Sequence, residues 1–356
     1  MERDQIVSTT RDHVFYSWKP QNAIQAPIVM DHGKGVYFWD TDGKRYIDFS
    51  SQLMNMNVGH GHETIIKAVQ EQVGKLPFAY PGLATEAKAR AGAAIASVTP
   101  GDLNKTLFTL GGAEAVENAI KIARQYTGRH KIVTRYRSYH GGTIGAATAG
   151  GDPRRLPNEP GISGIVRVHD PYAYRCPFGY APEGNLDVYV NHVIQTIEFE
   201  GPENVAAILM ESITGSSGLI IPPDGYWQRL REYTEQHGIL LIADEVMSGF
   251  GRTGKMFAIE HYGIVPDIMT MAKGLTCGYV PLGAVTVRQH IADHFDTHPL
   301  VCGLTYSGHP VGCAAAVAAI EVYEKDDLVA NSARMGQVMA GHMQEMKDKH
   351  PSVGDV

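Results

Sequence analysis

Short apolar runs alternate with amphipathic stretches along most of this chain, and that alternation limits its fold more than any other feature. The runs Lys105–Thr109, Lys131–Thr134, Val205–Glu211, Ile239–Asp244, Asp267–Met271 and Ala284–Val287 have the length of strands, and most are apolar on successive residues, as in strands covered on both faces. Strands separated by helical segments imply an α/β fold with a mostly parallel sheet. Ligands of such sheets sit at the carboxyl ends of the strands. The residues that follow each run are therefore the first place to look for chemistry.

The flanks read differently. Val36–Asp40 and Arg45–Phe49 enclose Thr41-Asp42-Gly43-Lys44 in the manner of a hairpin. Gly150–Gly184 is rich in Pro, Gly and Arg without a clear period, which predicts a long surface or active-site loop. From Pro310 to about Lys349 the chain is Ala-rich and helical. With 356 residues, 44% of them hydrophobic, a large core and two domains are expected at about 100–200 residues each.

Charge and cysteine usage narrow the class. Lys and Arg number 31 against 38 Asp and Glu, a net charge of -7, which argues against broad binding of nucleic acid while leaving room for one small phosphate site. The four cysteines, Cys176, Cys277, Cys302 and Cys313, have no metal-type spacing and fit free thiols in a reducing compartment. Met1-Glu2-Arg3-Asp4 leads into no apolar targeting region, and no apolar run reaches membrane-spanning length. These features predict a cytoplasmic protein that neither enters a membrane nor holds a metal.

Three strand ends carry candidate chemistry. Ile239–Ala243 ends on Asp244-Glu245-Val246; alone, an acid there is as readily a helix cap. The next strand ends on Ala272-Lys273-Gly274-Leu275, where desolvation lowers a lysine's pKa and frees a neutral amine to attack carbonyls. A lone lysine at such a place more often snorkels or pairs with an acid. Leu107–Thr109 leads through Leu110-Gly111-Gly112-Ala113 into a helix with Val116, Ile120 and Ala123 on one face. Glycines at a helix N-terminus let backbone N–H groups approach a phosphate, but many strand-to-helix turns carry glycine.

Taken together these segments resemble the class III aminotransferases, a branch of the fold-type I pyridoxal-phosphate enzymes that includes ornithine, γ-aminobutyrate, β-alanine and taurine aminotransferases. The resemblance runs from about Gly33 to the C-terminus. Its most specific pieces are Ala243–Val246 through Gly249-Phe250-Gly251-Arg252-Thr253-Gly254, then Ala272-Lys273-Gly274, then Thr305-Tyr306-Ser307-Gly308-His309-Pro310. It implies a mostly parallel sheet sandwiched by helices, with residues 51–310 forming a large domain that binds pyridoxal 5'-phosphate. Residues 1–50 would belong to a smaller α+β domain, and residues 311–356 would form a linking helix and the truncated start of that domain's C-terminal part.

The resemblance also implies roles. Lys273 would carry the cofactor covalently and shuttle a proton once substrate displaces it. Asp244 would keep the ring nitrogen protonated, so that the ring accepts electrons from the deprotonated carbon. Gly112 and Ala113 match the phosphate-binding turn, although the family usually has serine at the position of Ala113. Tyr139 matches an aromatic on one ring face and Val246 a residue on the other. Glu211 matches an acid near the cofactor, while Thr305 matches a phosphate ligand donated by the neighbouring subunit, which implies a homodimer and allows a tetramer.

Leu53, Met54 and Tyr139 would line the substrate pocket, where relatives acting on ω-amino acids often have tryptophan at the position of Met54. Methionine there is more pliable, or simply fills the core. The expected reaction is a ping-pong transfer from an ω-amino acid or amine, of taurine, β-alanine or γ-aminobutyrate type, to pyruvate or 2-oxoglutarate. An aminomutase, racemase or decarboxylase on the same machinery is the alternative, and a truncated fragment that only dimerises is another. After Val356 the family continues with a strand and the rest of the small domain, which carries an arginine for the substrate carboxylate. Arg175 and Arg252 are candidate substitutes for it, although Arg252 belongs to a turn motif.

Two competing motifs carry less. Gly249–Lys255 has the glycine and lysine spacing of a P-loop, but Met256 stands where Ser or Thr would hold Mg²⁺. His60 and His62 lack a nearby third ligand and read as part of a turn.

Overall fold

Each of the six apolar runs is a strand. A computed structural model describes residues 1–179 and 186–356. In it a three-stranded antiparallel sheet is built from β1 (Met30–Lys34), β2 (Tyr37–Asp40) and β3 (Arg45–Ile47). The main sheet has seven strands: β4 (Leu103–Thr109), β5 (Lys131–Arg135), β6 (Ile165–Val168), β7 (Val205–Glu211), β8 (Leu240–Asp244), β9 (Ile268–Met271) and β10 (Gly283–Arg288). Their spatial order is β4-β10-β9-β8-β7-β5-β6. Strands β5 to β9 pair in parallel, while β10 lies antiparallel between β4 and β9.

Burial explains the unbroken apolar runs. Every residue of β7 and β8 is buried, and alternate side chains enter different cores, as the two-residue period of a strand requires. Ile208, Met210, Leu241, Ala243 and Met269 join the core formed with helices Leu186–Glu200, Tyr226–His237 and Pro310–Lys325. Leu209, Leu240, Ile242 and Ile268 face the opposite core, shared with Val116, Ile120 and Ala123 of helix Gly112–Thr127. Helices therefore cover both faces of the sheet.

Several expectations need correction. The stretch Gly150–Gly184 is not all loop: it holds a short 3-10 helix at Pro153–Asn158, the edge strand β6 and a second short turn at Ala173–Arg175, while residues 180–184 lie outside the described residues. Strand β6 has only four residues and one neighbour, β5, too short a run for a period to emerge. The hairpin is also joined by β1, a strand that the sequence pattern does not predict. The C-terminal helical stretch is two helices, Pro310–Lys325 and Leu328–Lys349, separated at Asp327 with φ +49. No helix of the described residues is long and apolar enough to cross a membrane.

The P-loop spacing at Gly249–Lys255 folds as successive turns without a following α-helix, so no helix N-terminus faces a phosphate there. His60 pairs with Asp48 at 2.7 Å, and its backbone bridges Gly35. That ring therefore ties the N-terminal sheet to the turn beyond it. Among the described residues no three His, Cys, Asp or Glu side chains are grouped to hold a metal.

The end of β8 is held by Glu245, which is fully buried. Its carboxylate accepts Ser212 Oγ at 2.5 Å and Ile259 N–H at 2.8 Å on one oxygen, and Ser248 Oγ at 2.6 Å and Ala258 N–H at 3.0 Å on the other. Burial pushes its pKa up, against these hydrogen bonds. The side chain thus joins the ends of two neighbouring strands to the turns after them. Glu245→Ala leaves these donors without an acceptor, at about 1–3 kcal/mol for each group that water cannot reach. A loss of roughly 3 kcal/mol or more in urea unfolding is expected; a change within about 0.5 kcal/mol, as for a bland surface site, would contradict this.

Candidate active site

Strand register creates the site. Glu211 lies opposite Asp244 across β7 and β8, and Asp244 lies opposite Thr270 across β8 and β9. Lys273 follows β9 directly, opening the turn Lys273–Leu275 with φ +39. The acids and the lysine are therefore side by side at the carboxyl edge of the sheet, where open α/β sheets bind ligands.

They line a cavity of about 590 Å³. Gly112, Ala113, Tyr139, Val246, Leu53 and Met54 also line it, so nearly all the candidates drawn from the sequence meet there. Thr305 does not line the cavity and is exposed. Arg175 and Arg252 do not line it either, and Arg252 instead donates to Asn57 Oδ1.

Each wall has a local cause. Helix Gly112–Thr127 begins at the cavity, so its first N–H groups, which have no partner within the helix, meet it. A Cβ on Gly112 would lie 2.7 Å from Val246 Cγ1, so only glycine lets that turn pack against the segment after β8. Tyr139 is fixed by its N–H to Glu211 Oε1 at 3.2 Å. At the mouth, Ser51, Gln52, Leu53 and Met54 all have positive φ, between +48 and +66. Such a left-handed turn costs about 1–2 kcal/mol per non-glycine residue. Asp48 Oδ1 accepts the Gln52 N–H at 3.2 Å, and the Ser51 carbonyl accepts the Asn55 N–H at 2.7 Å.

Two side chains were missed from sequence. His140 Nδ1 is 2.7 Å from Asp244 Oδ2, while Val246 N–H donates to Asp244 Oδ1 at 3.0 Å. Both carboxylate oxygens are thereby oriented. His140 Nε2 is buried without a partner among the described residues. The second is Arg154, whose guanidinium lies 3.8 Å from the Tyr139 ring centroid and lines the same cavity. Asp152 accepts its Nε at 2.7 Å and its Nη2 at 2.9 Å, which leaves Nη1 and one Nη2 proton for another acid. The only sequence signal was an arginine pair inside the supposed loop, with nothing to indicate its direction.

The electrostatics shift Lys273 toward its neutral form. Burial lowers the Lys273 pKa; Asp244 and Glu211 oppose this, while Arg252 and Arg154 reinforce it. Burial raises the Glu211 carboxyl, helped by the Asp244 charge and countered by His140, the Gly215 N–H and Arg135. The cavity thus combines a desolvated amine, a fixed carboxylate, an aromatic ring and a helix N-terminus.

The sequence profile described as Aminotransferase class-III matches residues 19–356. The chain belongs to the class III aminotransferases. A solved taurine:2-oxoglutarate aminotransferase from Bifidobacterium kashiwanohense, in complex with PLP and glutamate, is 43% identical, with a TM-score of 0.94 over 98% of this chain and 79% of its own. A thermostable (S)-enantioselective omega-transaminase from Thermomicrobium roseum is 37% identical, with a TM-score of 0.93 over 98% and 80%. A leucine/methionine racemase from Thermococcus litoralis is 38% identical over 95% of this chain and 76% of its own.

This class III aminotransferase is a pyridoxal 5'-phosphate enzyme of fold type I, and the residues of its cavity fit that group. An amine would meet the aldehyde, an acid suits the ring nitrogen, and the helix that begins at Gly112 turns its first N–H groups to the cavity for a phosphate. In the cofactor-free protein, Asp244→Asn removes a charge that raises the Lys273 pKa, so that pKa falls and neutral amine appears at lower pH. Trinitrophenylation of Lys273, with Lys273→Ala as the blank, is expected to reach half its maximal rate at a lower pH in Asp244→Asn. An unchanged or higher midpoint would show that the carboxylate does not act on the lysine.

Proposed function

We propose that this aminotransferase accepts ω-amino acids with an acidic head, of taurine, β-alanine or γ-aminobutyrate type, and passes the nitrogen to pyruvate or 2-oxoglutarate by a ping-pong sequence. The observation that carries this reading is Arg154, a guanidinium in the same cavity as Lys273. Its remaining donors suit a carboxylate or sulfonate, and an ω-amino acid holds that head several bonds from its amine. Relatives named as taurine:2-oxoglutarate aminotransferase and omega-transaminase support the same substrate class.

Pyridoxal 5'-phosphate supplies an aldehyde for the amine nitrogen and a ring that takes up electrons from the deprotonated carbon. Lys273 Nζ would hold the cofactor and, once freed, would carry a proton at the substrate carbon. Burial shifts that amine toward its neutral form, which both tasks need. Asp244 would hold a proton at the ring nitrogen, and His140 fixes the carboxylate for it. Tyr139 and Val246 would bound the ring's two faces, Glu211 would lie beside it, and Gly112 and Ala113 would offer N–H groups to the phosphate. In a homodimer, Thr305 would donate its hydroxyl to the phosphate of the neighbouring subunit. Leu53 and Met54 shape the substrate end, where a pliable methionine admits a flexible chain.

The racemase relative supplies a second reading, in which nitrogen never leaves its carbon skeleton. Appearance of an aldehyde or keto product together with alanine or glutamate from the acceptor favours transfer; inverted substrate without acceptor turnover would favour racemisation.

Arg154→Leu tests the substrate class. Loss of a charge-assisted hydrogen bond costs about 1.5–3 kcal/mol, so KM for taurine or β-alanine is expected to rise by about ten-fold or more. A neutral arylalkylamine should be affected far less. An equal loss for charged and neutral donors would refute recognition of the acidic head by Arg154.

A further inference from the structure

A second, smaller cavity of about 130 Å³ lies beside the segment Pro153–Asn158. Thr148, Arg155, Asn158, Glu159, Ile162 and Arg167 are among its lining residues. Arg154 lines the main cavity, so adjacent arginines serve two different spaces.

Cationic donors outnumber acceptors here. Arg155 Nη1 pairs with Glu159, but Arg155 Nε is sealed from solvent without a partner among the described residues. Arg167 donates Nε to the Gly150 carbonyl at 3.2 Å and Nη2 to the Thr148 carbonyl, and among the described residues no carboxylate pairs with it. Burial lowers the Arg167 pKa, and the neighbouring Arg155 charge lowers it further. A third guanidinium, Arg124, stands behind Gly164, where its Nη2 lies 3.2 Å from the position of a Cβ on that glycine. Arg124 donates to the Ser163 carbonyl at 2.8 Å, and its Nε is also buried without a partner among the described residues. Among the described residues, Glu159 is the one carboxylate paired with any of these three.

Like charges held close together repel, and buried N–H groups call for an acceptor. We propose that the cavity between Arg155 and Arg167 binds a tetrahedral oxyanion, inorganic phosphate or sulfate, in addition to the cofactor's phosphate. Its oxygens would take the unpaired Arg155 Nε and offset the excess positive charge. A volume of 130 Å³ holds only a few water-sized groups of about 30 Å³ each, which suits the bare oxyanion and not a phosphorylated metabolite. Arg is suited to the task because its planar donors match oxyanion edges.

The test is titration calorimetry on the holoenzyme, in which the cofactor already occupies its own phosphate site. Inorganic phosphate and sulfate are titrated separately, with chloride at equal ionic strength as the reference. Wild type is expected to bind phosphate or sulfate saturably, one per chain, without a matching response to chloride. Arg155→Gln should weaken that binding by at least about ten-fold, with Arg155→Lys intermediate and the exposed Arg334→Gln unchanged. Arg167→Gln should resemble Arg155→Gln; if it does not fold, Arg155→Gln decides. No saturable binding beyond chloride in wild type, or full affinity in Arg155→Gln, would overturn the site.

Discussion

Desolvation of Lys273 near Asp244 is the interaction on which the rest of the site depends. An exposed lysine at neutral pH is almost entirely charged and cannot attack a carbonyl. Lys273 is moved away from that state by burial at the end of β9, and the acids of β7 and β8 limit how far. Strand pairing sets these distances, since a slip of one residue would turn Asp244 to the opposite face. The sheet is thus an alignment device as well as a core.

The supports around this pair protect that alignment. His140 and the Val246 N–H fix both oxygens of Asp244, and Glu245 joins the strand ends beneath them. Arg135, fully buried, donates to the Glu211 carbonyl. Around Lys273 itself, Tyr323 Oη donates to the Gly274 carbonyl at 2.8 Å and Cys277 N–H to the Lys273 carbonyl at 2.9 Å. These contacts hold a turn whose first residue has the unusual φ of +39. Helix Pro310–Lys325, which carries Tyr323, thereby bears directly on the lysine.

Strands with several apolar residues in succession were legible because two-sided burial leaves an unbroken apolar signature, as in Val205–Met210 and Ile239–Ala243. Lys273 and Asp244 stood out as candidates because each follows such a run, but alone each read as readily as a paired lysine or a helix cap, and their roles came from the family resemblance. Arg154 and His140 were not, since their roles depend on contacts with Tyr139 and Asp244 across the fold. The edge strand Ile165–Val168 was hidden by its length and by the prolines and glycines around it. Nor did any residue type announce the left-handed turn at Ser51–Met54, which contains no glycine or asparagine.

The central claim is that Lys273 is the residue that carries the cofactor. Incubation with pyridoxal 5'-phosphate, borohydride reduction and peptide mapping by mass spectrometry tests it most directly. The account predicts one reduced adduct, on Lys273, absent from a folded Lys273→Ala variant. An adduct on another lysine of the wild type, or an undiminished adduct in the variant, would contradict it.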